Sequence, residues 1–295
     1  MSKLLLIDAS PYIFRAYYSI PDSMRDSEGK PCNAIYGFIN FLFQVITQAK
    51  PEFIAVAFDD KLSSSFRNEI YPEYKQHREP VPEALSDQFS MCLYGAEALG
   101  LPVFMEKSYE ADDLIGTLAK KLRSEQQEIW IVSSDKDLAQ LITPGDTFWD
   151  FARNRQLDEA GVQEHFGVRP DQFVDYLALM GDQVDNIPGV PGIGPKSACA
   201  LLQHFDTLEN TFENIDEISN LKIRGAKSIK TKLQDNKDQA FLSQKLAMIA
   251  TDAPVDVSID ALACRPVQSA ALEKMFDFLN FGSALRTRIS HLESM

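Results

Sequence analysis

Leu4-Leu5-Leu6-Ile7-Asp8 is a short apolar run closed by a carboxylate, and the same pattern returns along the chain. Asp59 follows Phe53-Ile54-Ala55-Val56-Ala57-Phe58, and Asp135 and Asp137 follow Ile129-Trp130-Ile131-Val132. Asp182 and Asp185 follow Tyr176-Leu177-Ala178-Leu179-Met180, which reads as one more strand of this kind. Glu110-Ala111-Asp112-Asp113 opens a segment of helical character. Short apolar runs separated by helical stretches predict an α/β fold on a largely parallel sheet. In such a sheet the C-terminal strand ends share one edge, where ligand sites collect. Nine carboxylates gathered there would repel strongly unless cations sat among them. Oxygen ligands, with no zinc-type cysteine spacing, point to Mg²⁺ or Mn²⁺, with phosphate as the bridging partner.

A chain of 295 residues exceeds one average domain, so two are expected. Apolar residues at 45% and charged residues at 24% are ordinary for a soluble globular protein. No apolar stretch reaches the roughly 18 residues of a membrane span, and Met-Ser-Lys-Leu-Leu-Leu-Ile-Asp at the start lacks a signal-cleavage pattern. Cys32, Cys92, Cys199 and Cys264 form no Cys-x-x-Cys pair, which argues against structural zinc and a disulfide framework and for a reducing cytoplasm. The net charge of −14, from 43 acids and 29 bases, speaks against a nucleic-acid partner at first sight. Setting the nine clustered acids aside leaves −5, so where the bases lie matters more.

Strands are expected at 3–8, 53–58, 102–105 and 128–133. Ile35, Phe38, Ile39, Leu42, Val45 and Ile46 fall at helical spacing, and helices are also expected at 83–99 and 111–123. Residues 60–82 break the alternation with Ser63-Ser64-Ser65, Arg67, Tyr71, Tyr74-Lys75 and His77-Arg78, an exposed excursion without an apolar face. From about residue 158 the pattern is helical. The expected division is an α/β domain over 1–170 and a helical domain over 171–295, with a soft boundary near 155–180.

Asp8, Asp59 or Asp112 alone reads equally well as a helix N-cap. Nine acids together fit two-metal phosphoryl chemistry better, in which carboxylates hold two ions about 4 Å apart. Gly189 and Gly194 have Walker A spacing, but Pro195 stands at the lysine position and Lys196 comes one residue late. A helix–hairpin–helix over 177–205 fits better, its Gly192, Gly194, Lys196 and Ser197 meeting DNA phosphate at a helix start. Arg67, Lys75 and Arg78, with Tyr71 and Tyr74 between them, could pair with phosphates and stack on bases, or form a solvated loop. Lys222, Arg224, Lys227, Lys230 and Lys232 lie in an acid-free run at 219–232, either a solvated helix face or a phosphate contact.

Together these residues resemble the 5′-nuclease domain at the N-terminus of bacterial DNA polymerase I and the related flap endonucleases. The match runs through Asp8 with Arg15, Tyr36-Gly37-Phe38, Phe58-Asp59, Ser65-Phe66-Arg67, Tyr74-Lys75 with Arg78, and Glu110-Ala111-Asp112-Asp113. It continues through Asp135-Lys136-Asp137, Gly181-Asp182-x-x-Asp185-Asn186 and Gly189-x-x-Gly192-Ile193-Gly194-x-Lys196. The resemblance implies a PIN-like sheet flanked by helices, an arch at 60–82, and a C-terminal helix–hairpin–helix domain of the H3TH type. It implies one Mg²⁺ or Mn²⁺ at Asp8, Asp59, Glu110, Asp112 and Asp113, and a second at Asp135, Asp137, Asp182 and Asp185. K⁺ would sit on hairpin carbonyls near 185–194. Lys75 and Arg78, with Arg15 as helper, would act on the scissile phosphate, while Arg67, Tyr74, Lys227 and Lys230 would touch DNA. The implied substrate is DNA with a 5′ flap or 5′ end, with RNA primer–DNA hybrids also open, cut by a cytoplasmic monomer that does not engage membranes. No polymerase-like sequence follows, which suggests a free-standing nuclease or an isolated domain. A DNA-structure-binding module without chemistry and a ribonuclease of the wider fold group are the alternatives.

Overall fold

The computed structural model describes residues 2–60, 65–124 and 126–293. The N-terminal half runs β1 (Ser2–Asp8), α1 (Ser10–Ser19), α2 (Asn33–Ala49), β2 (Phe53–Asp59), α3 (Phe66–Ile70), α4 (Glu83–Ala98), β3 (Val103–Glu106), α5 (Ala111–Leu122) and β4 (Gln127–Val132). Then come β5 (Thr147–Asp150) and β6 (Arg155–Leu157), followed by α6 (Glu159–Phe166), α7 (Phe173–Met180), α8 (Pro195–Phe205), α9 (Leu208–Glu213), α10 (Ala226–Asp235) and α11 (Lys237–Ala247). The chain ends in α12 (Ser269–Phe278) and α13 (Ser283–Glu293).

The six strands lie in the order β3-β2-β1-β4-β5-β6, and only the β5–β6 pairing is antiparallel. Strand β1 shows why the sheet needs cover on both faces. Leu5 and Ile7 point into one apolar cluster with α2 and α4, while Leu4 and Leu6 point into another with α5. All four side chains are fully buried, each contributing roughly 1.5–3 kcal/mol relative to exposure. Gly37 lets α2 approach α1: a Cβ there would fall 2.5 Å from the Ala16 Cβ.

A third cluster, built from α6 to α11, forms the helical unit. Its limits differ from the sequence expectation. Residues beyond α11 return to the sheet: Ile249, Ala253 and Leu262 pack on the α5 face, and Leu272, Phe276 and Leu285 pack with α2 and α4 on the other. The helical unit is therefore held between two parts of the α/β body, and residues 249–293 do not belong to it. In α12 and α13 the apolar residues are spaced for a helix, which does not disclose the surface they cover.

Two local readings are also corrected. Residues 173–180 form helix α7, as the helix–hairpin–helix reading of 177–205 expected and the strand reading of the same run did not; a continuous apolar run suits a buried helix as well as a buried strand. The excursion at 60–82 is not solvated throughout, because Arg67 and Tyr74 are 2% and 4% exposed and the Tyr74 ring joins the helical core. Ser63 and Ser64 lie outside the described residues. Among the described residues no helix is long and apolar enough to cross a membrane.

Candidate active site at the sheet edge

Parallel pairing sets the C-terminal ends of β1, β2 and β4 side by side, so Asp8 and Asp59 end neighbouring strands and Asp135 lies just past the third. Each is fixed by a short local bond. Ser133 Oγ donates to Asp8 Oδ2 at 2.7 Å and accepts from the Asp135 backbone N–H at 2.9 Å. Asp59 accepts from Ser10 Oγ at 2.6 Å and from the Ala111 N–H at 2.8 Å, which ties β2 to the start of α5. Asp135 caps the turn that follows, its Oδ1 accepting from the Asp137 N–H at 3.0 Å. Ser10 and Ser133 escaped the sequence reading, although a serine two residues before Asp135 matches a known turn pattern.

The charges interact across this edge. Burial, then the Asp59 and Asp135 charges, push the Asp8 carboxyl well above its usual range. Burial, then Asp8 and Asp135, do the same to Asp112. Asp137 is raised to about 7 by burial and by Asp135, against the pull of Lys136. Asp135 thus couples to Asp8 and Asp112 as well as to Asp137, so the acids do not separate into two isolated sets.

Asp182 and Asp185 reach the site from the helical unit, on the loop after α7. Gly181 ends that helix at φ 75°, and a Cβ on Gly189 would fall 2.2 Å from the Gly181 nitrogen, which folds the loop tightly on itself. Lys136 pairs with Asp182 and lies 3.1 Å from Asp137 Oδ1. Arch residues bridge the remaining acids. Lys75 Nζ lies 2.7 Å from Glu110 and 3.5 Å from Asp185, the Tyr74 hydroxyl lies 3.1 Å from an oxygen of each and shares its one proton between them, and Arg78 pairs with Asp185. Burial alone would raise the Asp185 carboxyl, but Lys75 and Arg78 hold it below its usual range.

Four of the expected roles change here. Asp113, expected among the metal ligands, is fully buried, with both oxygens engaged. Arg67 Nη1 and Nη2 each donate to it at 2.8 Å, and the Glu110 and Ala250 N–H groups add bonds of 3.0 and 2.8 Å. Arg67, expected to contact DNA, spends its other donors on the Leu246 and Met248 carbonyls at 2.9 and 2.8 Å. Tyr74, also expected at DNA, is buried beneath the arch. Arg15 lies on the exposed side of α1 in a cavity of about 300 Å³ that none of the nine acids lines.

The hairpin presents Gly192, Gly194 and Lys196 at the surface, with Ser197 partly covered. The carbonyls of Ile187, Gly189, Val190 and Gly192 each already accept one hydrogen bond, the last from Lys232 at 2.9 Å. Lys227 is exposed, whereas Lys230 is paired with Asp216 at 2.7 Å.

As placed, no three of these carboxylates among the described residues enclose a metal ion. The donor set nevertheless fits a hard divalent cation: every donor is a carboxylate oxygen. Asp137 Oδ1 is moreover buried without a hydrogen-bond partner, although the Lys136 ammonium is nearby.

An acidic edge on a parallel sheet, bridged by Lys75 and Arg78 and neighboured by a Gly-rich hairpin, is an arrangement suited to hard cations and a phosphate group. Residues 3–167 match the family profile "5′-3′ exonuclease, N-terminal resolvase-like domain", and residues 168–270 match "5′-3′ exonuclease, C-terminal SAM fold". The chain belongs to the 5′-3′ exonuclease family. It is 42% identical over 95% of its length to DNA polymerase I of Pseudomonas aeruginosa, covering 31% of that protein. The chain thus spans about a third of the length of such relatives. It is also 36% identical to a 5′-3′ exonuclease of Buchnera aphidicola, covering 88% of this chain and 90% of the relative. In fold it resembles a flap endonuclease of bacteriophage T5 in complex with DNA and metal ions, at 22% identity and TM-score 0.65, covering 99% of this chain and 98% of that one. The catalytic core of Rad2 with a DNA substrate has the same TM-score of 0.65 at 16% identity, covering 99% of this chain and 91% of that one.

Proposed function

We propose that this chain is a Mg²⁺-dependent 5′-nuclease that hydrolyses phosphodiester bonds in DNA bearing a 5′ flap or a 5′ end. The observation that carries the reading is the meeting of Asp8, Asp59 and Asp135, at or just past adjacent strand ends, with Asp112 of the first turn of α5, near Lys75 and Arg78. Asp8, Asp59, Glu110, Asp112 and Asp135 would hold one divalent ion, and Asp137, Asp182 and Asp185 a second. With both bound, the site gains an activated water and a counter-charge for the phosphodiester.

The chain's own residues do the rest. Ser10 and Ser133 keep two carboxylates aimed at the same space. Lys75 and Arg78 balance Glu110 and Asp185 in this structure, and would be available to the scissile phosphate were those carboxylates engaged by divalent ions. Lys196 and the exposed glycines of the hairpin would grip duplex phosphate away from the cut, so shape rather than sequence would be read. A K⁺ at the hairpin would use the second lone pairs of carbonyls that already accept one bond. Conversion of a labelled 5′-flap DNA under Mg²⁺ titration tests the reading, with Asp135→Asn expected to abolish cleavage and to retain flap binding. Near-normal turnover in that variant would overturn it. A matched RNA flap in the same assay reports the preferred sugar.

A further inference from the structure

The second group of acids lines one wall of a cleft of about 430 Å³ whose other wall is basic, formed by Arg153, Arg155 and His165. That volume is in the range of small-ligand sites and accommodates a nucleotide unit. The basic wall arises from the β5–β6 hairpin, where Asn154 turns the chain at φ 50° and Asp150 pairs in register with Arg155.

The charges on this wall are not equivalent. Arg153 is neutralised by Asp150 at 2.8 Å, and Lys136 by Asp137 and Asp182. Arg155 has no carboxylate at ion-pair distance among the described residues; its Nη1 lies 2.6 Å from His165 Nε2. A guanidinium can only donate, so in this contact His165 Nε2 is the acceptor, and an imidazole carries no negative charge. His165 therefore orients Arg155 without balancing its charge. In a chain with 43 acids and 29 bases, an arginine facing a cleft lined by five aspartates, with none of them at ion-pair distance, is arranged for an anion from outside.

We propose that Arg155, oriented by His165, is a contact for a phosphate group of the nucleic-acid strand on the side of the site formed by Asp135, Asp137 and Asp182. This rests on the nuclease reading, because cations on the acidic wall are what make the cleft hospitable to an anion. The phosphate would be either an internal phosphodiester or a terminal 5′-phosphate.

The test is binding of a labelled 5′-flap DNA in Ca²⁺ over a range of salt concentrations, using the whole chain, Arg155→Gln and Arg155→Lys, on flaps with a 5′-phosphate or a 5′-hydroxyl. Arg155→Gln is expected to reduce the slope of log affinity against log salt by about 0.7–0.9, one phosphate's share, and Arg155→Lys to restore most of it. A reduction on both flaps identifies an internal phosphodiester; one confined to the phosphorylated flap identifies the terminus. Equal slopes for wild type and Arg155→Gln on both flaps overturn this inference and leave the nuclease reading standing. A wild-type chain that binds no flap overturns both.

Discussion

Arg67 and Asp113 form a closed fork, two parallel bonds of 2.8 Å between a guanidinium 2% exposed and a fully buried carboxylate. The same arginine reaches the Leu246 and Met248 carbonyls, and the same aspartate holds the first turn of α5. One ion pair thereby joins the arch, the helix carrying Glu110 and Asp112, and the chain leaving the helical unit. Removing the arginine strands a carboxylate in the core, so Arg67→Ala is expected to cost about 3–5 kcal/mol in urea unfolding. The salt slope of DNA binding should not change in the folded fraction. A loss below about 1 kcal/mol, or a lowered slope, would return Arg67 to the DNA surface.

Metal-free stability should fall as pH rises toward neutrality. Asp137 titrates near 7 in the folded chain, against about 3.9 when unfolded. Asp8 and Asp112 are raised as well. Between those limits the folded state holds protons that the unfolded state has released, and that part of the stability is lost as pH rises through the window. Asp185 acts oppositely: its depressed carboxyl contributes stability above its unfolded value, lost only in acid. Urea midpoints in EDTA should therefore be higher at pH 5 than at pH 7.5, with Asp137→Asn narrowing the gap. A midpoint that rises over that interval contradicts the assignment.

Divalent cations should reverse that loss. An ion at 100 times its dissociation constant adds about 2.7 kcal/mol to the folded state. Asp112→Asn is expected to raise metal-free stability, since it removes a buried repulsive charge, and to shrink the gain from Mg²⁺. Thermal unfolding with and without Mg²⁺ reads both effects, and an undiminished Mg²⁺ gain in the variant would exclude Asp112 as a ligand.

At the hairpin, exposure separates residues that look alike in sequence. Lys196 is free at the surface, whereas Lys230 is engaged by Asp216. Lys196→Ala should lower the salt slope of flap binding by about one contact, and Lys230→Ala by less. Equal slopes for the two variants would remove the hairpin's assigned grip.

Strands β1, β2 and β4 were legible because continuous apolar runs closed by aspartate have few other readings, and the same runs disclosed most of the acids. Less legible was anything fixed by a distant partner. Arg67 and Tyr74 look like surface residues until Asp113, Glu110 and Asp185 are brought beside them. Asp113 has the same local sequence signal as Asp112, and only its place on the inner side of α5 commits it to an arginine. Strands β5 and β6 have four and three residues, too few for an alternating pattern, so the basic wall they carry was not foreseen.

Lys75 brings the arch's chemistry and its backbone into conflict. It adopts φ 56°, a left-handed conformation that costs a side-chain-bearing residue roughly 1–2 kcal/mol. The conformation is held by its own N–H, which donates to the Asp185 carbonyl at 3.0 Å, while its ammonium spans Glu110 and Asp185. Strain of this kind persists where function requires the side chain in that place. Lys75→Ala and Lys75→Gly remove the same ammonium, and both should reduce turnover of a 5′ flap by about a hundredfold or more, with binding much less affected. They differ in backbone freedom alone, so Lys75→Gly should be the more stable by about 1 kcal/mol. Urea unfolding of the pair decides the point. Equal stability would show the left-handed turn to be unstrained, and unimpaired turnover would remove Lys75 from the chemistry.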